Sequence, residues 1–244
     1  MSSGVVERET IDVADGTKMT LHVARPPLMR AGTPGILVFQ EAYGVNAHIR
    51  DVVARFARQG FVAVAPELYH RTAPGFEGRY DDLEGARAHA ARMTEEGLLA
   101  DVAAAFAWLQ SQPMVAKDRI AGIGFCMGGR VSYVANSAVP LRAAISFYGG
   151  GIAPGLLHLA GKQHAPLLMF WGGLDAHIGP EQYRAVSDAL REAKKPYECV
   201  VFSYADHGFF CDARPSYSES AARQAWVLSL EFLRVNGVLE GAGA

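Results

Sequence analysis

The chain has 244 residues, half of them hydrophobic and a fifth charged, with 25 acidic and 23 basic side chains. This is ordinary globular composition, and a formal net charge of −2 excludes an overall basic footprint for nucleic-acid phosphates. No apolar run reaches the roughly 18 residues that a membrane span requires. Neither a nucleic acid nor a bilayer is the expected partner.

The N-terminal segment carries Glu7 and Glu9 and lacks an apolar stretch, so it does not read as a secretory signal. Three cysteines, Cys126, Cys199 and Cys211, cannot all pair with one another. The expected setting is the reducing cytoplasm, where a free thiol persists.

In chain order, residues 7–24 alternate weakly around Asp15-Gly16 and predict an edge hairpin. Gly35 to Phe39 is a short buried strand that ends at Gln40-Glu41-Ala42-Tyr43-Gly44. Asn46 is placed to cap a helix from Ala47 to Gln59, with Ile49, Val52, Val53, Phe56 and Ala57 on its apolar face. Phe61 to Ala65 is a second buried strand, and a polar loop runs from Glu67 to about Asp82. Helical segments are expected over Leu83 to Met93 and Glu95 to Leu109.

A third strand, Arg119 to Gly124, leads through Cys126 into a helix reaching about Ala138. Strands follow at Leu141 to Phe147, Pro166 to Trp171 and Tyr197 to Phe202. Helices are expected over Pro180 to Lys194 and Ser216 to Val235. Continuous apolar strands separated by helices imply a mostly parallel central sheet with helices on both faces. The expected organisation is one α/β domain over residues 1–244, with a frayed tail at 240–244.

The most informative segment is Gly122-Ile123-Gly124-Phe125-Cys126-Met127-Gly128-Gly129. It fits Gly-x-nucleophile-x-Gly, with cysteine where serine is commoner. A sharp strand-to-helix turn raises the central side chain above the sheet, and side chains at Gly124 and Gly128 would collide there. The turn also sets Cys126 at a helix N-terminus, where amides and dipole favour a thiolate, and directs the Met127 N–H toward an oxyanion.

A nucleophilic thiol needs a base, and the base needs an orienting acid. Trp171-Gly172-Gly173-Leu174-Asp175 follows the fifth strand, and Tyr204-Ala205-Asp206-His207-Gly208 follows the last. Both lie just beyond C-terminal strand ends, where ligands meet an open parallel sheet. His207 is the expected base and Asp175 its acid. Asp206 is the rival, although a sequence neighbour is poorly placed to reach the ring. His48 and His89 read as solvated helix positions, and His158 and His164 lie in or beside loops. His70 and His177 are loop residues that could line a pocket. Cys199 reads as a buried small hydrophobe, and Cys211 as structural.

The cysteine elbow, Gln40 to Gly44, the Gly173-Leu174-Asp175 turn and His207-Gly208-Phe209 together resemble the dienelactone hydrolase family of the α/β-hydrolase superfamily. The resemblance spans about Ile11 to Leu233. It implies Cys126 as nucleophile, His207 as base and Asp175 as its orienter. It further implies that Glu41 lies beside the resting thiol and joins in its activation. The Ala42 and Met127 amides are then the oxyanion hole, and Tyr43 and Tyr148 pocket walls, unless their hydroxyls simply reach water.

Members of that family are expected to hold a substrate carboxylate with arginines, one of them close behind the histidine. Here no arginine has that short spacing, and Arg214 would have to curl back. Among Arg71, Arg79, Arg87 and Arg92 the narrow preference is Arg79, in the loop after the second strand. The expected substrate is a small, carboxylate-bearing ester or enol-lactone. No cofactor or metal is expected, and a monomer and a homodimer are both compatible with the sequence. A cysteine-dependent carboxylesterase or thioesterase uses the same residues, and a non-catalytic binding protein is the remaining alternative.

Overall fold

The computed structural model describes residues 5–239, so the tail at 240–244 lies outside the described residues. The chain divides into two compact units, Met1–Ala121 and Gly122–Ala244. In the first, strands β1 (Glu7–Asp12) and β2 (Lys18–Ala24) pair antiparallel from Glu7↔Val23 to Asp12↔Lys18. The turn between them is held by Asp15, whose Oδ1 accepts from Thr17 N at 3.0 Å and Thr17 Oγ1 at 2.6 Å. β2 pairs antiparallel with β4 (Val62–Pro66), which pairs parallel with β3 (Thr33–Phe39).

Every residue of β3 and β4 is buried, which accounts for their predominantly apolar sequence. Helix α1 (Ala47–Arg58) buries the five apolar residues that its periodicity selects. Its cap is Asn46, whose side chain accepts from Ile49 N at 3.2 Å. Helices α2 (Leu83–Ala90) and α3 (Glu95–Ser111) follow, with α3 packed on β1, β3 and β4.

Strand β5 (Val115–Phe125) crosses the boundary between the units and is longer than the predicted Arg119 to Gly124. In the second unit come α4 (Met127–Ala138), β6 (Ala143–Phe147), a 3₁₀ turn at Leu157–Lys162 and β7 (Leu167–Gly172). They are followed by α5 (Pro180–Glu192), β8 (Tyr197–Phe202) and α6 (Glu219–Val235). β6, β7 and β8 pair parallel in that order, α4 packs on β6, and α6 on β6 and β7. Strand pairing is thus mixed and mostly parallel with flanking helices, the α/β-hydrolase fold.

Three expectations need correction. Cys199 is exposed, on the strand β8 that ends the strand order. His48 is buried on the inner flank of α1 rather than solvated, and His89 is half-buried against the Phe76 ring, 4.2 Å between centroids. The last helix starts at Glu219 rather than Ser216, because Tyr217 N and Ser218 N bond back to Arg214 O and Phe209 O. Among the described residues no helix is long and apolar enough to cross a membrane.

Candidate active site

Cys126 stands at the junction of β5 and α4 with φ 55° and ψ −117°, a left-handed setting that a side chain rarely adopts. The bend is locked by Cys126 N donating to Phe147 O at 3.0 Å and by Gly129 N returning to Cys126 O at 3.0 Å. A Cβ on Gly124 would run into the Gly128 carbonyl, and one on Gly129 would come within 2.5 Å of Phe147 O. The glycines are therefore steric requirements of the elbow. The thiol makes no helix-capping bond, so it is not spent on the α4 N-terminus.

Asp175 sits on the turn after β7, and His207 on the loop after β8. The loops are joined by Leu174 N donating to Ala205 O at 2.9 Å and Gly173 N to Phe202 O at 2.8 Å. The His207 loop is anchored by Phe209 and Phe210, both buried. Phe210 stacks on Phe125 at 5.1 Å, and Phe209 meets Tyr148 edge-on at 5.3 Å. Glycine at 172 and 173 permits this crossing, since a Cβ at either would come within 2.6 Å of Ala205 O or Ser203 Cα.

The result is a 2.7 Å contact between His207 Nδ1 and Asp175 Oδ2, with the Asp175 side chain fully buried. Its other oxygen accepts from His177 N at 2.8 Å and Ile178 N at 3.1 Å. Burial works against a charged Asp175, but the His207 bond and charge and the two backbone donors hold its carboxyl below the ordinary range. Burial also opposes charge on His207. Hydrogen bonds to Asp175 and Cys126, and the charges of both, override it and push the imidazole from 6.5 up to about 10. Asp206, the rival acid, instead accepts from His207 N at 2.6 Å and serves its own turn.

Tyr148 is fully buried with φ 38°, its N donating to Phe170 O and its ring 5.0 Å from His207. It walls the imidazole and does not reach solvent. His177 is exposed, and its ring meets that of His207 edge-on at 5.8 Å. Met127 opens α4 and is buried; Cys211 is buried as well. The Arg214 guanidinium curls back onto Gly208, where a Cβ would lie 2.5 Å from its Cζ.

In the first unit Glu41 is fully buried just beyond β3, with Ala42 and Tyr43 buried beside it. Its Oε2 accepts from Tyr80 Oη at 2.8 Å, and Tyr80 packs on Tyr43 at 4.7 Å. Sequence reasoning missed Tyr80, which no local pattern sets apart from Tyr69 and Phe76 in the same loop. Arg79 is 82% exposed and bonds Asp81 through Nε and Nη2 at 2.9 and 2.6 Å. His70 is no pocket residue in the open loop. It is buried against Asp101 at 3.0 Å, in a network where Arg71 bonds both Asp101 oxygens at 2.8 Å and Asp15 at 2.7 Å.

Comparison with known proteins assigns the chain to a family. The model of the dienelactone hydrolase family matches residues 20–236. A Synechocystis protein named by inference as a carboxymethylenebutenolidase is 38% identical over 202 residues, covering 79% of this chain and 82% of its own. A Salmonella typhimurium protein of the same inferred name is 32% identical over 237 residues, covering 93% and 87%. The crystal structure of a Klebsiella pneumoniae protein described as a dienelactone hydrolase by inference superposes with a TM-score of 0.85. It is 30% identical and covers 94% of this chain and 98% of that one.

Proposed function

Because the chain belongs to the dienelactone hydrolase family, we propose that it opens an enol-lactone, or a related small carboxylic ester, through a thioester on Cys126. The carrying observation is His207, bonded to Asp175 on one side and to the Cys126 side chain on the other. Residues 1–244 are read as one hydrolase domain. The Ala42 and Met127 amides are the assigned oxyanion donors, and Glu41 assists removal of the thiol proton.

In the proposed cycle the thiol proton already resides on His207, whose raised value keeps the ring protonated, and the Cys126 thiolate attacks the carbonyl carbon. The ester C–O bond breaks, and the leaving oxygen takes the proton back from the imidazolium. Acylation removes the negative charge and the hydrogen bond that Cys126 contributes to the raised His207, so the ring gives up its proton more readily at that stage. The neutral imidazole then takes a proton from water as its oxygen attacks the thioester, and the thiolate departs. Asp175 holds Nδ1–H throughout, which leaves the other nitrogen for chemistry. A thiolate suits a stabilised leaving group such as an enolate better than a simple alkoxide.

A substrate carboxylate would meet an arginine. Arg79 would have to leave Asp81 to do so, whereas Arg214 already lies against the residue after His207. The test is steady-state hydrolysis of cis- and trans-dienelactone and a neutral aryl ester by wild type and Cys126→Ala. Activity should vanish in the variant, and at least one lactone should exceed the ester in kcat/KM. Retained turnover in the variant refutes the nucleophile. Cys126-dependent activity confined to the neutral ester would favour a carboxylesterase and remove the lactone assignment.

A further inference from the structure

Glu41 is buried, and its hydrogen bonding begins at a helix cap. Asn46 Oδ1 accepts from Ile49 N at 3.2 Å, and only the amide oxygen can accept there. That fixes the amide's orientation, so its Nδ2 is the group facing Tyr80 Oη at 3.1 Å. The Tyr80 oxygen therefore accepts from Asn46. Its single proton is committed to the other contact, Glu41 Oε2 at 2.8 Å. Each link has one permitted direction, and the last presents the Tyr80 hydroxyl proton to Glu41 Oε2.

The segment carrying Tyr80 is strapped to the same region by other bonds. Gly78 N donates to Tyr43 O at 2.9 Å, and Gly44 bridges Glu77. Arg50 Nη1 donates to Glu77 Oε1 at 2.6 Å. The Tyr80 ring packs against Tyr43 and is held apart from its hydroxyl's bonds. The hydroxyl can thus be removed without removing the packing.

We propose that Tyr80 and Asn46 are positioning residues for the reaction: they form a one-way hydrogen-bond relay from the α1 N-cap that orients Glu41 as an acceptor. This rests on the reading that Glu41 takes part in thiol activation. The relay gives Asn46 a second duty beyond capping, and the two can be separated. Asn46→Asp keeps an oxygen for Ile49 N but loses the donor to Tyr80.

The test is kcat and KM for trans-dienelactone and 4-nitrophenyl acetate, with thermal unfolding, for wild type, Tyr80→Phe, Asn46→Asp, Glu41→Gln and Glu41→Gln/Tyr80→Phe. Losing one hydrogen bond of the relay should lower kcat by about tenfold in Tyr80→Phe and Asn46→Asp, with KM little changed and the folded state intact. Tyr80→Phe should have no further effect on the Glu41→Gln background. If Glu41→Gln is impaired while Tyr80→Phe and Asn46→Asp keep wild-type kcat, the relay is wrong and the Glu41 reading stands. If Tyr80→Phe costs as much with Glu41→Gln as without it, Tyr80 does not act through Glu41, and the relay is again wrong. Wild-type kcat in Glu41→Gln would remove the Glu41 reading and the relay with it.

Discussion

Asp175→Asn isolates the acid's charge from its turn. Oδ1 of Asp175 is held by His177 N and Ile178 N, so the amide oxygen of the variant must take that place. The amide nitrogen then faces His207 Nδ1 across a 2.7 Å contact, two donors opposed unless the ring shifts its proton to the other nitrogen. In that tautomer the ring offers Cys126 an N–H instead of a lone pair. By analogy with the serine triad, kcat should fall by roughly 10³- to 10⁴-fold. The fold should survive, because the turn keeps both backbone bonds.

Stability adds a sign that can be checked. His207 is raised from 6.5 to about 10 in the folded protein, so its contribution is fully present below about 6.5 and lost as pH rises through about 10. That rise sets an upper bound of about 5 kcal/mol, shared between Asp175 and Cys126 and net of burial. Urea unfolding of wild type and Asp175→Asn at pH 6 and above pH 10 should show the gap between them narrowing at high pH. A gap that is constant with pH, or activity within about tenfold of wild type, would refute the assigned geometry.

Two further outcomes are expected. Arg214→Gln should raise KM for an anionic dienelactone and leave a neutral aryl ester unaffected, whereas Arg79→Gln, starting from an exposed guanidinium already on Asp81, should change neither; steady-state kinetics with both substrates decide, and the reverse pattern restores Arg79. Asp101→Ala leaves His70 and Arg71 without their shared buried carboxylate and should cost about 3 kcal/mol, toward the low end for a broken buried pair because Arg71 keeps Asp15. Urea unfolding at pH 7 measures it, and a loss below about 1 kcal/mol would mean that the network contributes little.

The parts of this site that sequence made legible are those whose cause is local. The Cys126 elbow is set by Gly124 and Gly129 within a few residues, and its steric need for glycine is written in the same segment. Asp175 and His207 could be placed because each follows an apolar strand directly. Their meeting at 2.7 Å depends on something less visible, the bond from Leu174 N to Ala205 O and the burial of Phe209 and Phe210. Element boundaries moved where backbone bonding overrode propensity, as at Ser218.

What stayed hidden are polar partners chosen by a segment far along the chain. Cys199 reads as a small hydrophobe within a strand, yet strand order puts it on an edge. His70 looks like a pocket residue until Asp101, on a helix 31 residues later, neutralises its burial. Tyr80 and Glu41 are 39 residues apart, and no periodicity relates them. Burying a polar group is costly unless it is paired, so the fold must supply each such partner, and the pairing is decided by topology rather than by local pattern. A catalytic motif can therefore be read from a few residues, while the groups that orient it become visible only when the strap and the helix cap are in place.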